Sequence, residues 1–207
     1  MFNDSKTFVD LPLVVSPDEA TARFADLLRF EGPDLTVPQL RHFLDEYFGP
    51  DPNAGLVSWT PPDWTEDIPL FHQIRDPGYL DMAKAVHAKW ADLGRRTTSG
   101  GELEEGRSSL VNLPQGFIVP GGRFREMYYW DTYWTILGLL VSRMHQTVKG
   151  MLYNFAHLIQ TYGMVPNGNR IYYTASSQPP LFIPMVWAYF QVLTYFTDIS
   201  NQDKHVR

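Results

Sequence analysis

The 207-residue sequence contains no cysteine. Disulfides, a thiol nucleophile and cysteine-ligated zinc are thereby excluded, and the redox compartment cannot be read from disulfide usage. Basic residues are in deficit as well: 17 Lys and Arg stand against 23 Asp and Glu, a net charge of -6. Such a balance lays down no basic footprint, so nucleic acid and anionic lipid are not expected as partners. No stretch reaches the ~20 apolar residues that a membrane span needs. The opening MFNDSKTFVDLPLVV has neither the positive n-region nor the long apolar h-region of a signal peptide, so no signal peptide or membrane span is expected and the compartment stays unknown. The six histidines are each isolated, without HExxH or another ligand spacing; no metal and no cofactor is implied. The one sequon, Asn3-Asp4-Ser5, is a short motif that chance also produces.

What is present is apolar and aromatic material, 44% and 14% of the chain. A chain of this length buries about 70% of its unfolded surface around one core, so disorder is not expected. The apolar positions recur at helical spacing. Ser16-Pro17-Asp18-Glu19 combines a cap, a first-turn proline and a capping-box glutamate, and Ala20, Phe24, Leu27 and Leu28 then share a face as far as Gly32. Thr36 with Gln39 opens a second helix carrying Leu40, Phe43, Leu44, Tyr47 and Phe48, closed by Gly49-Pro50. Prolines at 50, 52, 61, 62, 69 and 77 predict an irregular segment. A third helix is expected from Tyr79 to Leu93, with Leu80, Ala83, Val86, Trp90 and Leu93 inward.

The stretch TTSGGELEEG reads as a polar loop, with Glu102, Glu104 and Glu105 forming a solvated face. Two long helices are predicted from about Trp130 to Met144 and Gln146 to Tyr162, and an apolar run from Ile183 to Phe196 predicts a last helix buried on most sides. No stretch shows the strict alternation of a sheet strand. The fold class is therefore all-α, built from helix pairs, and both a helical solenoid and an α/α toroid accommodate it.

Two segments concentrate polar chemistry. VPGGRFREMYYWDTYW, 119–134, sets glycine, arginine and carboxylate among large aromatics. A pyranose offers C–H faces for aromatic stacking and hydroxyls for bidentate partners, so the composition suits a sugar, although an aromatic-rich helix start packed in a core has it too. PNGNRIYYTASSQPP, 166–180, is rich in donors and acceptors between tyrosines and prolines, as are both functional loops and plain turns. Glu126 and Asp131 make a poor acid–base pair, since a five-residue spacing turns them to different sides of a helix.

The string PGGRF-x-E-x-Y-x-W-D-x-Y, Pro120 to Tyr133, is similar at every fixed position to a signature of the trehalase family. DSKTFVD at 4–10, GMLYNFAHLIQTYGMVPNGNR at 150–170 and SQPP at 177–180 resemble the same family, so the likeness covers nearly the whole chain. The resemblance implies a partial (α/α)6 toroid of antiparallel helix pairs, with residues 1–207 as the N-terminal part of a single catalytic domain. It implies hydrolysis of α,α-trehalose, the expected small-molecule partner, to two glucoses by an inverting glycosidase, with Arg123, Trp130, Asp131, Asn167, Ser177 and Gln178 lining the sugar subsite. The family's general acid and general base lie beyond these residues, near a second tryptophan- and glycine-rich signature that has no match here, so no catalytic residue is assigned and the 207-residue piece is expected to be inactive. Where the family usually carries arginine before Ser-Gln-Pro-Pro, this chain has Ser176, which removes a fixed charge and a guanidinium fork. A noncatalytic sugar-binding or regulatory protein is the alternative, and a helical interaction scaffold is a third reading.

Overall fold

A computed structural model describes Phe2, residues 4–98 and residues 106–202, with side-chain surroundings as far as Thr194. The sequon residue Asn3, most of the TTSGGELEEG loop with Glu102, Glu104 and Glu105, and the side chain of Phe196 lie outside the described residues. The chain divides into two compact units, one of Met1–Leu56 and Thr98–Asn112, the other of Val57–Thr97 and Leu113–Arg207.

The first unit holds α1 (Ser5–Val9), α2 (Pro17–Glu31) and α3 (Val37–Tyr47). Each begins on the side chain that its sequence supplies. Asp4 accepts from the Lys6 N–H at 2.9 Å, Ser16 Oγ from the Glu19 N–H at 3.2 Å, and Gln39 Oε1 reaches back to the Thr36 N–H at 2.8 Å. These bonds satisfy donors that a helix start otherwise leaves orphaned. Ala20, Phe43 and Leu44 are buried as the stripes predict, and Phe24 meets Phe43 edge-on at 5.1 Å. An apolar cavity of about 600 Å³ lies among Phe8, Leu13, Phe24, Leu40, Phe43 and Phe48.

The second unit holds α4 (Pro77–Leu93), α5 (Asp131–Val141), α6 (His145–Tyr162) and α7 (Phe182–Gln202). Helices α5, α6 and α7 pack against one another, and their inner faces carry Ile136, Leu139, Val148, Met151, Phe155 and Met185, all fully buried. Three residues, Ser142, Arg143 and Met144, join α5 to α6. Gly138 lets α5 approach α4: a Cβ there would stand 2.8 Å from the Trp90 ring, inside any real contact distance.

Four features depart from the sequence reading. A small three-stranded sheet of β1 (Leu56–Ser58), β2 (Gly94–Thr97) and β3 (Phe117–Ile118) accompanies the helices, with Gly94 opposite Ile118 and Arg95 opposite Phe117. Strands of two to four residues are too short to display alternation. On α4, Val86 is 59% exposed and the neighbouring His87 is buried in its place. Either residue satisfies the helical period. His87 wins because the fold satisfies its ring: Nε2 donates to the Thr65 carbonyl at 2.7 Å, which leaves Nδ1 to accept from the Ser142 hydroxyl at 3.0 Å. Trp90 Nε1 in turn donates to Ser142 Oγ at 2.9 Å. The third departure is α7, which buries Met185 but leaves Ile183, Val186, Trp187 and Phe190 exposed, so it is not covered on most sides. Lastly, Glu126 precedes α5 altogether, so no helical spacing relates it to Asp131.

Candidate functional site

Segment 119–131 leaves β3 through a tight turn. Gly121 and Phe124 exchange both backbone hydrogen bonds, each 3.1 Å, and Gly121 and Gly122 sit at φ 102° and 61°. The left-handed region admits glycine without cost, so the pair is explained by the turn itself. Arg123 is exposed at the turn, its guanidinium carbon 5.5 Å from the Phe124 ring centre, and Phe124 meets Tyr128 edge-on at 5.5 Å.

Beyond the turn the chain dives into the core and pairs with segment 165–178. Arg170 Nε donates to Glu126 Oε1 at 2.9 Å, and the Tyr128 hydroxyl donates to Glu126 Oε2 at 3.0 Å. Glu126 and Arg170 are each 1% exposed. The Met127 N–H donates to Asn169 Oδ1 at 2.8 Å, Tyr128 forms a bridge with Gly168, and the Tyr129 N–H donates to the Asn167 carbonyl at 2.9 Å. Burial, a hydrogen bond with Tyr173 and the charge of Glu126 push the Tyr128 hydroxyl well above its ordinary range, so it stays protonated and remains a donor. Outside this pairing, Asn154 of α6 holds the Gln115 backbone, accepting from its N–H at 2.9 Å and donating to its carbonyl at 3.0 Å.

The six expected site residues fall on this frame as follows. Trp130 is the residue before α5, partly exposed and edge-on to Trp134 at 5.2 Å. Asp131 is the first residue of α5; its carboxylate makes no hydrogen bond or ion pair among the described residues, and the start of α5 has no side-chain cap. Asn167 is joined to both neighbours, its carbonyl to Tyr129 and its N–H to the Ser176 carbonyl at 2.9 Å. Ser177 turns its hydroxyl onto the Val165 carbonyl at 2.7 Å, and Gln178 follows, half-buried, before Pro179. The Tyr129–Asn167 bond thus sets Trp130 and Asp131 beside the Asn167 segment, while Arg123 stands apart at the turn. At Ser176 both backbone groups are used, the N–H donating to the Tyr173 carbonyl at 2.9 Å and the carbonyl accepting from Asn167; its hydroxyl lies 3.5 Å from the same Tyr173 carbonyl. No group of three or more His, Asp or Glu that could hold a metal occurs among the described residues.

Residues 1–206 match the family model described as Trehalase. The chain belongs to the trehalase family. It is 41% identical to a trehalase of Homo sapiens over 206 residues, covering 100% of this chain and 35% of that protein. A trehalase of Apis mellifera is 41% identical over 201 residues, 97% of this chain and 32% of the relative. One from Dictyostelium discoideum is 44% identical over 197 residues, 92% of this chain and 32% of the relative. The chain thus spans about a third of the length of the trehalases it matches.

Sequence reasoning assigned no part to Tyr128 and Asn169 and treated Glu126 only as a rejected acid or base. The signal was available in the signature itself, where Glu126 and Tyr128 are fixed positions beside Trp130 and Asp131, and in Arg170 at the end of PNGNR. In this trehalase-family chain those residues pair the segment that leads to Trp130 and Asp131 with the segment that carries Asn167.

Proposed function

We propose that these residues contribute the glucose-binding part of an inverting α,α-trehalase, as the N-terminal portion of a single (α/α)6 catalytic domain. The observation that carries the reading is the pairing of the PGGRF signature with segment 165–178, in which the Asn167 carbonyl is held by Tyr129, two residues before the uncommitted carboxylate of Asp131. A carboxylate at a helix start is held by the positive end of the helix dipole and accepts from two sugar hydroxyls, while Trp130 supplies an aromatic face. Arg123, Ser177 and Gln178 complete the polar lining, with no cofactor or metal in the reaction.

Inversion needs a general acid at the glycosidic oxygen and a general base on a water across the ring, roughly 6.5–9.5 Å apart. Glu126 is unsuited to either role, because it is buried and both of its oxygens are engaged by Arg170 and Tyr128. The acid and base are assigned to segments of the full-length polypeptide outside these 207 residues. Each turnover consumes one water and releases one β-glucose, from the attacked carbon, and one α-glucose, from the leaving group. Proton NMR of fresh product from the full-length protein tests this: α and β anomers in equal amounts support inversion, whereas α-glucose alone rules it out. The replacement of an arginine by Ser176 favours a second reading, a noncatalytic sugar-binding protein, for which trehalose would bind and no glucose would be released.

A further inference from the structure

We propose that the buried ion pair of Glu126 and Arg170 is a positioning element that fixes the register between the two halves of the sugar site. The inference rests on the function proposed above. Four successive residues of one segment, Glu126, Met127, Tyr128 and Tyr129, meet four successive residues of the other taken in reverse, Arg170, Asn169, Gly168 and Asn167. The pairing is an antiparallel ladder in which side chains replace two of the backbone rungs. Its open end leads directly to Trp130 and Asp131 on one side. The other segment leads from the ladder to Ser177 and Gln178. A slip of one residue would displace Asp131 from Asn167 by about 3.3 Å, more than a hydrogen bond to one shared sugar ring tolerates.

Backbone bonds alone do not forbid that slip, since every peptide offers the same donor and acceptor. The ion pair does. No neighbouring residue can form it: Arg170 is the sole cation of 165–178, and the other carboxylate of 119–131, Asp131, lies five residues from Glu126. Both Glu126 oxygens are used, one by Arg170 and one by Tyr128, so the plane of the carboxylate is set as well as its place. Gly168 adds a steric check, since a Cβ there would stand 3.3 Å from both the Tyr128 and Tyr173 rings. A fully buried pair of charges is a poor source of stability, because desolvation offsets most of the Coulomb attraction and an apolar pair often serves as well. Specification of register is what an apolar pair would not supply.

The experiment uses the full-length protein and three variants: Glu126→Gln, which keeps the shape, Arg170→Lys, which keeps the charge but loses the planar fork, and the apolar double variant Glu126→Leu with Arg170→Met. Melting midpoint, kcat and KM on trehalose, and hydrogen exchange at the Met127 and Tyr129 amides are read on each. The double variant is expected to melt near the wild type. Its kcat/KM is expected to fall by about 10- to 100-fold, the scale of a misplacement of about 1 Å, with faster exchange at the two amides. Arg170→Lys is expected to fall between. A folded double variant with native exchange and native kcat and KM overturns the proposal. So does failure of all three variants to fold, which would make the pair purely structural. If the wild type itself neither binds nor cleaves trehalose, the functional reading fails instead, and the amide exchange still decides whether the pair sets the register.

Discussion

Asp63 caps the first turn of α6 by holding Thr147, 84 residues later in the chain. Its Oδ2 accepts from the Gln146 and Thr147 N–H groups at 2.7 and 3.0 Å, and its Oδ1 from the Thr147 hydroxyl. No residue next to α6 in sequence provides this cap; the side chain of Met144 offers none. Asp63 therefore ties the proline-rich loop to the longest helix of the packed α5–α6–α7 set whose side chains are fully described.

Asp63→Ala is expected to lower the stability of the second unit by about 1–2 kcal/mol, the usual cost of a lost N-cap. Trehalose affinity should be unchanged, because the ladder of Glu126 to Tyr129 is not touched. Urea melts with a sugar titration check both halves. An unaltered midpoint would remove the cap from the account.

The same helix start predicts a pH dependence. His145 is held below its ordinary value of 6.5, chiefly by burial, then by the nearby Arg143 charge, with Asp63 opposing. The folded state thus binds the proton less readily than the unfolded state. Stability from this group is fully present above about pH 7 and declines as pH falls through 6.5 toward the lower folded value. Comparing melts of wild type and His145→Gln between pH 7.5 and 5.5 should show a shallower decline in the variant. Parallel slopes would contradict the assignment.

How far the fold could be read from sequence depended on the span of each interaction. The caps of α2 and α3 join residues three apart, Ser16 to Glu19 and Thr36 to Gln39, and were legible as patterns. The stripe of α4 was legible except where Val86 and His87 competed, because the partners that settle it, Thr65 and Ser142, lie 22 and 55 residues away. The sheet was illegible because its strands are short. Within the site, the six residues proposed to line the sugar subsite were assigned from the family resemblance. The Glu126–Arg170 pair spans 44 residues, and neither end shows any periodicity that would announce it.

The exposed face of α7 gives a further expectation. Ile183, Val186, Trp187 and Phe190 follow one another at helical spacing and are all exposed, Ile183 to 79%. Contiguous apolar surface of this kind marks an interaction face. The 207-residue chain on its own should self-associate, which light scattering over a concentration series reads. A monodisperse monomer with a cooperative melt would count against an interaction role for this face.

The isolated 207-residue chain is also expected to release no glucose from trehalose, since the proposed acid and base are not among its residues. A coupled glucose assay at high protein concentration checks it. Turnover that survives repurification and disappears with Asp131→Ala would place the catalytic carboxylates within this chain.

Kinetics with melting on Asp131→Ala in the full-length protein test most directly whether Asp131 holds sugar. The carboxylate makes no hydrogen bond among the described residues and caps nothing, so its loss should leave the melting midpoint near that of the wild type. Bonds to a charged acceptor contribute about 1.5–3 kcal/mol each, so kcat/KM should fall at least roughly tenfold, and further if the bonds tighten in the transition state. A native melt with a kcat/KM reduced by that factor is the predicted result. A lowered midpoint with unchanged kcat/KM would contradict the account and make Asp131 a structural residue of α5.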